Sequence, residues 1–273
     1  MKIFSTPKDL ANDRQKMEGT IGLVPTMGAL HQGHLSLIKR SVAENDNTIV
    51  SIFVNPTQFL PGEDLEAYPR RLESDLKLCR LAGVDVVFTP TPEVIYFKNE
   101  LTICAPSILG FVLEGVKRPG HFDGVLSIVL KLLNLTSPTH AYFGKKDAQQ
   151  LRLIQKMVAD YFLNIIVVPC DIVRDEEGLA ISSRNVYLSE NERIEALKLS
   201  KALELASRFI SKGGREIKPI EALMQETLKP LNVEYAKVLS RDFTPLESVK
   251  IGSTLIAVCA HVGKTRLIDN IWI

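Results

Sequence analysis

The chain has 273 residues, is 45% hydrophobic and 24% charged, and carries a formal net charge of +1. That size suits one large domain or two smaller ones with a substantial core, while the near-zero charge excludes a general attraction to nucleic acid or anionic membrane, so an anionic ligand has to be held by local positive charge. The first seven residues lack the apolar core of a signal peptide, the apolar stretch 125–135 is broken by Lys131 and too short to span a bilayer, and Cys79, Cys104, Cys170 and Cys259 are too scattered for a metal-type pair or a disulfide framework, which points to a reducing cytoplasm.

Residues 21–24 read as a buried strand and 35–43 as a helix. Residues 48–54 form the next apolar, β-branched run, stopped by Asn55-Pro56. A helix is expected over 64–81, with apolar positions at Leu72, Leu76 and Leu78 and a stop at Gly83. A strand over 84–88 ends in Thr89-Pro90-Thr91-Pro92. Residues 124–135 read as a buried helix, 140–143 as a short strand, 148–161 as a helix and 165–168 as a strand. Short strands alternating with helices imply a parallel sheet with right-handed crossovers, whose ligands bind at the carboxyl ends of the strands. Near residue 172 the character changes. A long amphipathic helix over 189–210 opens with Ser189 and Glu192 in capping-box spacing. A second helix over 219–228 and strands over 233–238, 254–262 and 265–271 complete a smaller α+β unit. The expected division is 1–172 and 173–273.

The segment from Pro25 and Met27 through Gly28, His31, Gly33 and His34 lies where the first strand hands over to a helix. Unpaired N–H groups and the positive end of the dipole at a helix start suit phosphate, and imidazoles add donors to an oxygen that gains charge. The competing reading makes one histidine a helix cap and the other a core residue. A His-x-x-His pair is also half of a zinc site, but no third ligand is suitably spaced. Gln58, just past the second strand, offers an amide that both donates and accepts, or belongs to an ordinary Asn-Pro turn. Gly144, Lys145, Lys146 and Asp147 sit between a strand and a helix, where a lysine can meet phosphate or simply face water. Ser182, Ser183 and Arg184 offer two hydroxyls and a guanidinium, as a phosphate wrap or a polar interdomain turn. Gly263-Lys264-Thr265 resembles the end of a P-loop, but the earlier glycine is replaced by Val258 and no helix follows. Asp175-Glu176-Glu177 is expected to face water.

Six segments together resemble the pantoate–β-alanine ligase (pantothenate synthetase) family over nearly the whole chain: Pro25-Thr26-Met27-Gly28 with His31-x-Gly33-His34; residues 53–59; Tyr68-Pro69-Arg70; residues 119–125; Tyr142-Phe143-Gly144 with Lys146-Asp147 and Gln149-Gln150; and residues 178–180 with Ser182-Ser183-Arg184-Asn185. The family belongs to the His-x-Gly-His nucleotidylyl-transferase group. The resemblance implies an α/β fold, with a Rossmann-like first domain and a smaller α+β domain that closes over the ATP phosphates. It implies condensation of pantoate with β-alanine through a pantoyl adenylate, with ATP as substrate, Mg²⁺, and a homodimer. His34, His31, Lys146 and Arg184 are then the catalytic residues. Met27, Gly28, Ala29, Leu30, His31, Gln32, Gly33 and His34 contact ATP, as do Gly144, Lys145, Lys146, Asp147, Val173, Ile181, Ser182, Ser183 and Arg184. Gln58 and Gln150 hold pantoate, with Pro25 and Met27 walling its pocket. No protein ligand for the metal is named. Lys145 stands where the family usually has an acidic residue and Ala148 where it has an aromatic, and Leu60-Pro61-Gly62 departs from a glycine-first loop. The alternatives are another nucleotidylyl transferase, a non-catalytic nucleotide-binding module, and a structural protein.

Overall fold

Strands β1 (Lys2–Phe4), β2 (Ile21–Thr26), β3 (Asn47–Ile52), β4 (Val86–Phe88), β5 (His140–Gly144) and β6 (Ile166–Cys170) pair in parallel in the order β1-β4-β3-β2-β5-β6. The computed structural model describes residues 1–273. Helices α1 (Pro7–Arg14), α2 (Gln32–Glu44), α3 (Leu72–Leu81), α4 (Pro92–Ile95), α5 (Glu114–Lys117), α6 (His121–Thr136) and α7 (Ala148–Asp160) lie between the strands in sequence. A parallel sheet covered on both faces needs continuous apolar strands rather than alternating ones. Ile21, Leu23, Val24, Ile49, Val50, Val86, Val87 and Phe88 meet that need, each exposed by 1% or less. From β2 the chain winds outward through β3 to β4, then returns to place β5 on the other side of β2. The carboxyl ends of β2 and β5 therefore flank the point where strand order reverses, the place where such sheets take ligands.

The structure departs from the sequence expectation in two main places. The helix expected from residue 64 begins only at Leu72. Pro69 has no N–H to give and pushes Tyr68 out of helical geometry. Turns fill the gap, with Arg70 Nη1 and Nη2 donating to the carbonyls of Glu66 (3.2 Å) and Leu65 (3.0 Å). The second difference is β1 and α1, which no periodic pattern announces. β1 has three residues and pairs only with β4, and α1 is started by Thr6 as cap and Pro7 in its first turn.

By its internal contacts the chain forms two units, Met1–Gly144 with Leu153–Cys170 and Lys145–Arg152 with Asp171–Ile273. In the second, β7 (Asn232–Ser240), β8 (Thr254–Val262) and β9 (Thr265–Trp272) form an antiparallel sheet in sequence order. Helices α8 (Glu190–Ser211) and α9 (Ile217–Leu228) bury Leu199, Leu203, Ile220 and Met224 in one core with Ile256 and Val258 of β8. Ser189 and Glu192 form the expected capping box. Gly263-Lys264 is the β8–β9 hairpin turn, with Val262 paired to Thr265 and Gly263 at φ +56°, so no phosphate loop exists there. Lys145–Arg152, which a simple cut near 172 would give to the first unit, groups with the second. Asn270 explains why: its Nδ2 donates to the carbonyls of Lys145 (2.9 Å) and Lys146 (2.8 Å).

Candidate functional site

In the first unit, the chain leaving β2 turns sharply. Thr26 Oγ1 donates to the Ser51 carbonyl (2.7 Å) and accepts from the Gly28 N–H (3.2 Å). Gly28 takes φ +82°, and a Cβ on it would lie 3.0 Å from Asp75 Oδ2 and 3.1 Å from Ile52 Cγ2, so only glycine suits the position. Ala29 is also left-handed, at φ +49°. The turn is held by Asp75 of α3, 2% exposed, whose carboxylate accepts from the N–H groups of Ala29 and Leu30 at 2.8 Å each. Burial raises the Asp75 pKa, opposed by those two N–H groups and by Arg71. Sequence reading missed Asp75, because nothing local marks a carboxylate on a separate helix as the support of this turn.

His31 then caps α2, with Nδ1 accepting from the Gly33 N–H at 3.1 Å. An N–H can donate only to an unprotonated ring nitrogen, so this bond assigns the His31 ring proton to Nε2. The His34 ring stacks on it at 4.0 Å between centroids and 25° between planes. The capping and site readings of the pair are therefore compatible: the cap fixes one nitrogen and turns the other into a donor.

Gln58 ends the 3₁₀ turn Pro56–Gln58 after β3, and its Nε2 lies 2.9 Å from Met27 Sδ. The strand-end segments carrying Met27 and Gln58 are thus brought together. Asn55, 1% exposed, organises the turn. Its Oδ1 accepts from the Thr57 N–H (3.4 Å), the Thr57 hydroxyl (3.0 Å) and the Tyr96 hydroxyl (2.5 Å). Its Nδ2 donates to the Gly124 carbonyl (3.1 Å) and to Gln58 Oε1 (3.2 Å). The Gln58 carbonyl accepts from His121 Nδ1 (2.7 Å) and Arg118 Nη2 (3.3 Å), and Arg118 is paired with Glu63 at 2.6 Å. Burial, with the neighbouring Arg118 charge, lowers the His121 pKa to about 4. The segment 119–125, which carried resemblance without a role, is thus the scaffold behind Gln58.

In the second unit, the turn Lys145–Asp147 opens α7. Lys145 Nζ pairs with Asp171 at 2.6 Å, whereas Lys146 Nζ lies 3.5 Å from Asp147. Ala148, where an aromatic was usual, is buried, and Gln150 is half-buried on the first turn of α7. Val173 and Ile181 meet across a small hairpin, with the Ile181 N–H donating to the Val173 carbonyl at 3.0 Å. Arg174 forks onto Asp269 at 2.6 and 2.8 Å. Ser182 caps the turn Ser183–Tyr187 by accepting from the Arg184 N–H at 3.3 Å. In the acidic run Glu176 and Glu177 are exposed, as expected, but Asp175 does more than face water. Asp175 Oδ1 accepts from the N–H groups of Glu177 and Leu179 at 3.0 Å each, and Arg193 pairs with both Asp175 and Glu177. The run shapes the hairpin that presents Ile181 and Ser182. No group of three or more His, Cys, Asp or Glu side chains is arranged to hold a metal ion.

A family model described as pantoate-beta-alanine ligase matches residues 2–272. The chain is 55% identical over 273 residues to the pantothenate synthetases of Campylobacter fetus subsp. fetus and Aliarcobacter butzleri, covering all of each. Its fold is similar to the crystal structure of pantothenate synthetase from Thermus thermophilus, with TM-score 0.94, 40% identity and 99% of each chain covered. It is also similar to the pantoate-beta-alanine ligase of Francisella tularensis solved with beta-gamma ATP and beta-alanine, with TM-score 0.84, 36% identity, and 100% of this chain and 97% of that one covered. Full-length identity at this level, on the same two sheets, leaves one conclusion: the chain belongs to the pantoate–β-alanine ligase family.

Proposed function

We propose that the chain condenses pantoate with β-alanine, using ATP and releasing AMP and pyrophosphate. The observation that carries this reading is the pairing, at the strand-order reversal of the first unit, of a histidine-bearing helix start with the Met27–Gln58 wall. A carboxylate has no leaving group suited to amide formation, so it is first activated. A pantoate carboxylate oxygen attacks the α-phosphorus of ATP, and the bond to pyrophosphate breaks. The β-alanine amine then attacks the acyl carbon of the pantoyl adenylate, the bond to AMP breaks, and the nitrogen loses its proton.

Such chemistry rests on positioning and on stabilising charge as it develops. In this reading His34 and the Nε2–H of His31 donate to oxygens of the reacting phosphate. Residues 27–34 and Gly144, with Asp147, Val173 and Ile181, contact the nucleotide. Lys146 clamps the phosphates, and Ser182, Ser183 and Arg184 hold the departing pyrophosphate. Gln58 and Gln150 hold pantoate, against Pro25 and Met27. Lys145, with its charge already paired to Asp171, contributes less than Lys146. Mg²⁺ entering with ATP would supply positive charge that offsets the charge of the triphosphate and of the departing pyrophosphate. A cytoplasmic homodimer completes the proposal. The exposed apolar side chains Phe97, Leu101, Ile108, Phe111 and Val116 support self-association, which light scattering checks.

The test is AMP release from ATP with and without each co-substrate. Dependence on both pantoate and β-alanine supports the ligase. Pyrophosphate release indifferent to pantoate refutes it in favour of another nucleotidylyl transfer. His34→Ala and Lys146→Ala should each lower adenylation by about 10²–10³ with the fold retained.

A further inference from the structure

The Gln58 side chain could face a ligand with its oxygen or with its NH₂, and the two choices select opposite partners. The hydrogen bonds decide between them. Asn55 comes first. The Thr57 N–H can only donate, and it meets one end of the Asn55 amide at 3.4 Å. The Gly124 carbonyl can only accept, and it meets the other end at 3.1 Å. Asn55 is therefore oriented by backbone groups whose roles cannot invert. Its Nδ2 then requires an acceptor at Gln58, which places Gln58 Oε1 against Asn55 at 3.2 Å. The Gln58 NH₂ is left against Met27 Sδ at 2.9 Å, a weak acceptor that an incoming oxygen displaces at little cost.

Tyr96 supplies the remaining constraint. Its hydroxyl donates to Asn55 Oδ1 at 2.5 Å and lies 3.0 Å from the Thr57 hydroxyl. Lys131 sits over the Tyr96 ring, 4.6 Å from its centroid, and is itself tied to the Ile95 carbonyl and Glu100 at 2.6 Å each. We infer that Tyr96, acting through Asn55, is a positioning residue that locks the Gln58 amide with its NH₂ toward the substrate, so that Gln58 reads an anionic or hydroxyl oxygen of pantoate as a donor. The inference rests on Gln58 being a pantoate ligand. Burial keeps the Tyr96 pKa above its ordinary value, so the hydroxyl keeps the proton it donates.

Steady-state kinetics on the full chain with pantoate, ATP and β-alanine, alongside melting temperatures, test it. Tyr96→Phe should raise the pantoate KM roughly three- to tenfold, the worth of about one hydrogen bond, and leave the ATP KM and the melting temperature near the parent's. Gln58→Glu, which turns a charged acceptor toward the substrate, should raise the pantoate KM more than Gln58→Ala. In a Gln58→Ala background, Tyr96→Phe should have no further effect, because the tyrosine acts only through that amide. A Gln58→Glu variant that binds pantoate as well as or better than Gln58→Ala overturns the orientation. A Tyr96→Phe effect that persists in the Gln58→Ala background, or appears equally in the ATP KM, overturns the positioning role. A Gln58→Ala variant with parental pantoate KM removes the assignment of Gln58 itself, and the inference with it.

Discussion

Gly124→Ala sets two opposed effects against each other on α6. Gly124 lies inside that helix, where alanine is favoured over glycine by about 1 kcal/mol. The added Cβ, however, would lie 2.2 Å from the Thr57 carbonyl oxygen, 2.5 Å from its carbon and 2.7 Å from the Gln58 nitrogen. All three are backbone atoms, so no side chain can swing aside. Ordinary contact begins at 3.4 Å, so the turn and the helix must separate by about 1.2 Å. Overpacking of this kind costs about 1–3 kcal/mol, which outweighs the gain in helix propensity. The same separation breaks or stretches the bond from Asn55 to the Gly124 carbonyl and moves Gln58. Misplacing a binding group by about 1 Å can cost about a hundredfold in rate. Gly124→Ala should therefore be less stable than the parent by up to about 2 kcal/mol in urea unfolding and lose about 10²-fold in kcat/KM for pantoate. A variant stabilised by about 1 kcal/mol with parental pantoate kinetics would refute the reasoning, since helix propensity alone would then have decided the outcome.

Asp75→Asn turns one amide N–H against the N–H of Ala29 or Leu30. The ATP KM should rise at least tenfold, about the worth of one lost charge-assisted bond, while stability changes less because the buried charge is also removed; an unchanged ATP KM counts against Asp75 as the support of the turn. His121 titrates near 4 when folded against 6.5 ordinarily, so between those values the unfolded chain binds the extra proton. Stability is then full above pH 6.5 and falls as pH drops toward about 4, by on the order of 3 kcal/mol; His121→Asn should flatten that slope in denaturant titrations across this range. Glu234 acts in a lower window: burial opposes its ionisation, but Arg266 and His261 hold its pKa down to about 2, so its contribution is lost only as pH falls from 4.5 toward 2. Asn270→Ala removes both bonds to the carbonyls of Lys145 and Lys146; it should slow adenylation with little change in pantoate KM, and an unaltered rate would show that the lysine turn holds itself.

The parts legible in the sequence are those whose cause is local. Continuous apolar runs announce buried parallel strands at 21–24 and 48–54, because both faces of those strands are covered. Ser189 and Glu192 announce a helix start three residues wide. The histidine turn is legible because a strand, a glycine and a helix follow one another directly. The supports of the site are not legible, because each bond joins residues far apart in the chain. Asp75 reaches back 46 residues to Ala29, Asn55 forward 69 to Gly124, and Asn270 back 124 to Lys146. A carboxylate or amide on an unrelated element carries no sign of which turn it holds. Asp175 shows the same limit at short range. In sequence it is one of three adjacent acids, and only the hairpin reveals that its oxygen accepts from Glu177 and Leu179.

The strand order also decides how the parallel sheet ends. Its two outer strands are β1 and β6. The first is three residues long, too short to template a partner, and the second carries Pro169, which has no N–H to offer an incoming strand. Ile166 at the start of β6 is more than half exposed, so side-chain bulk does not seal that edge; backbone chemistry does. The sheet is thereby protected against growing by strand addition, the route by which open parallel sheets aggregate. Replacing Pro169 with a β-branched residue would restore an N–H to that edge and expose the chain to that hazard.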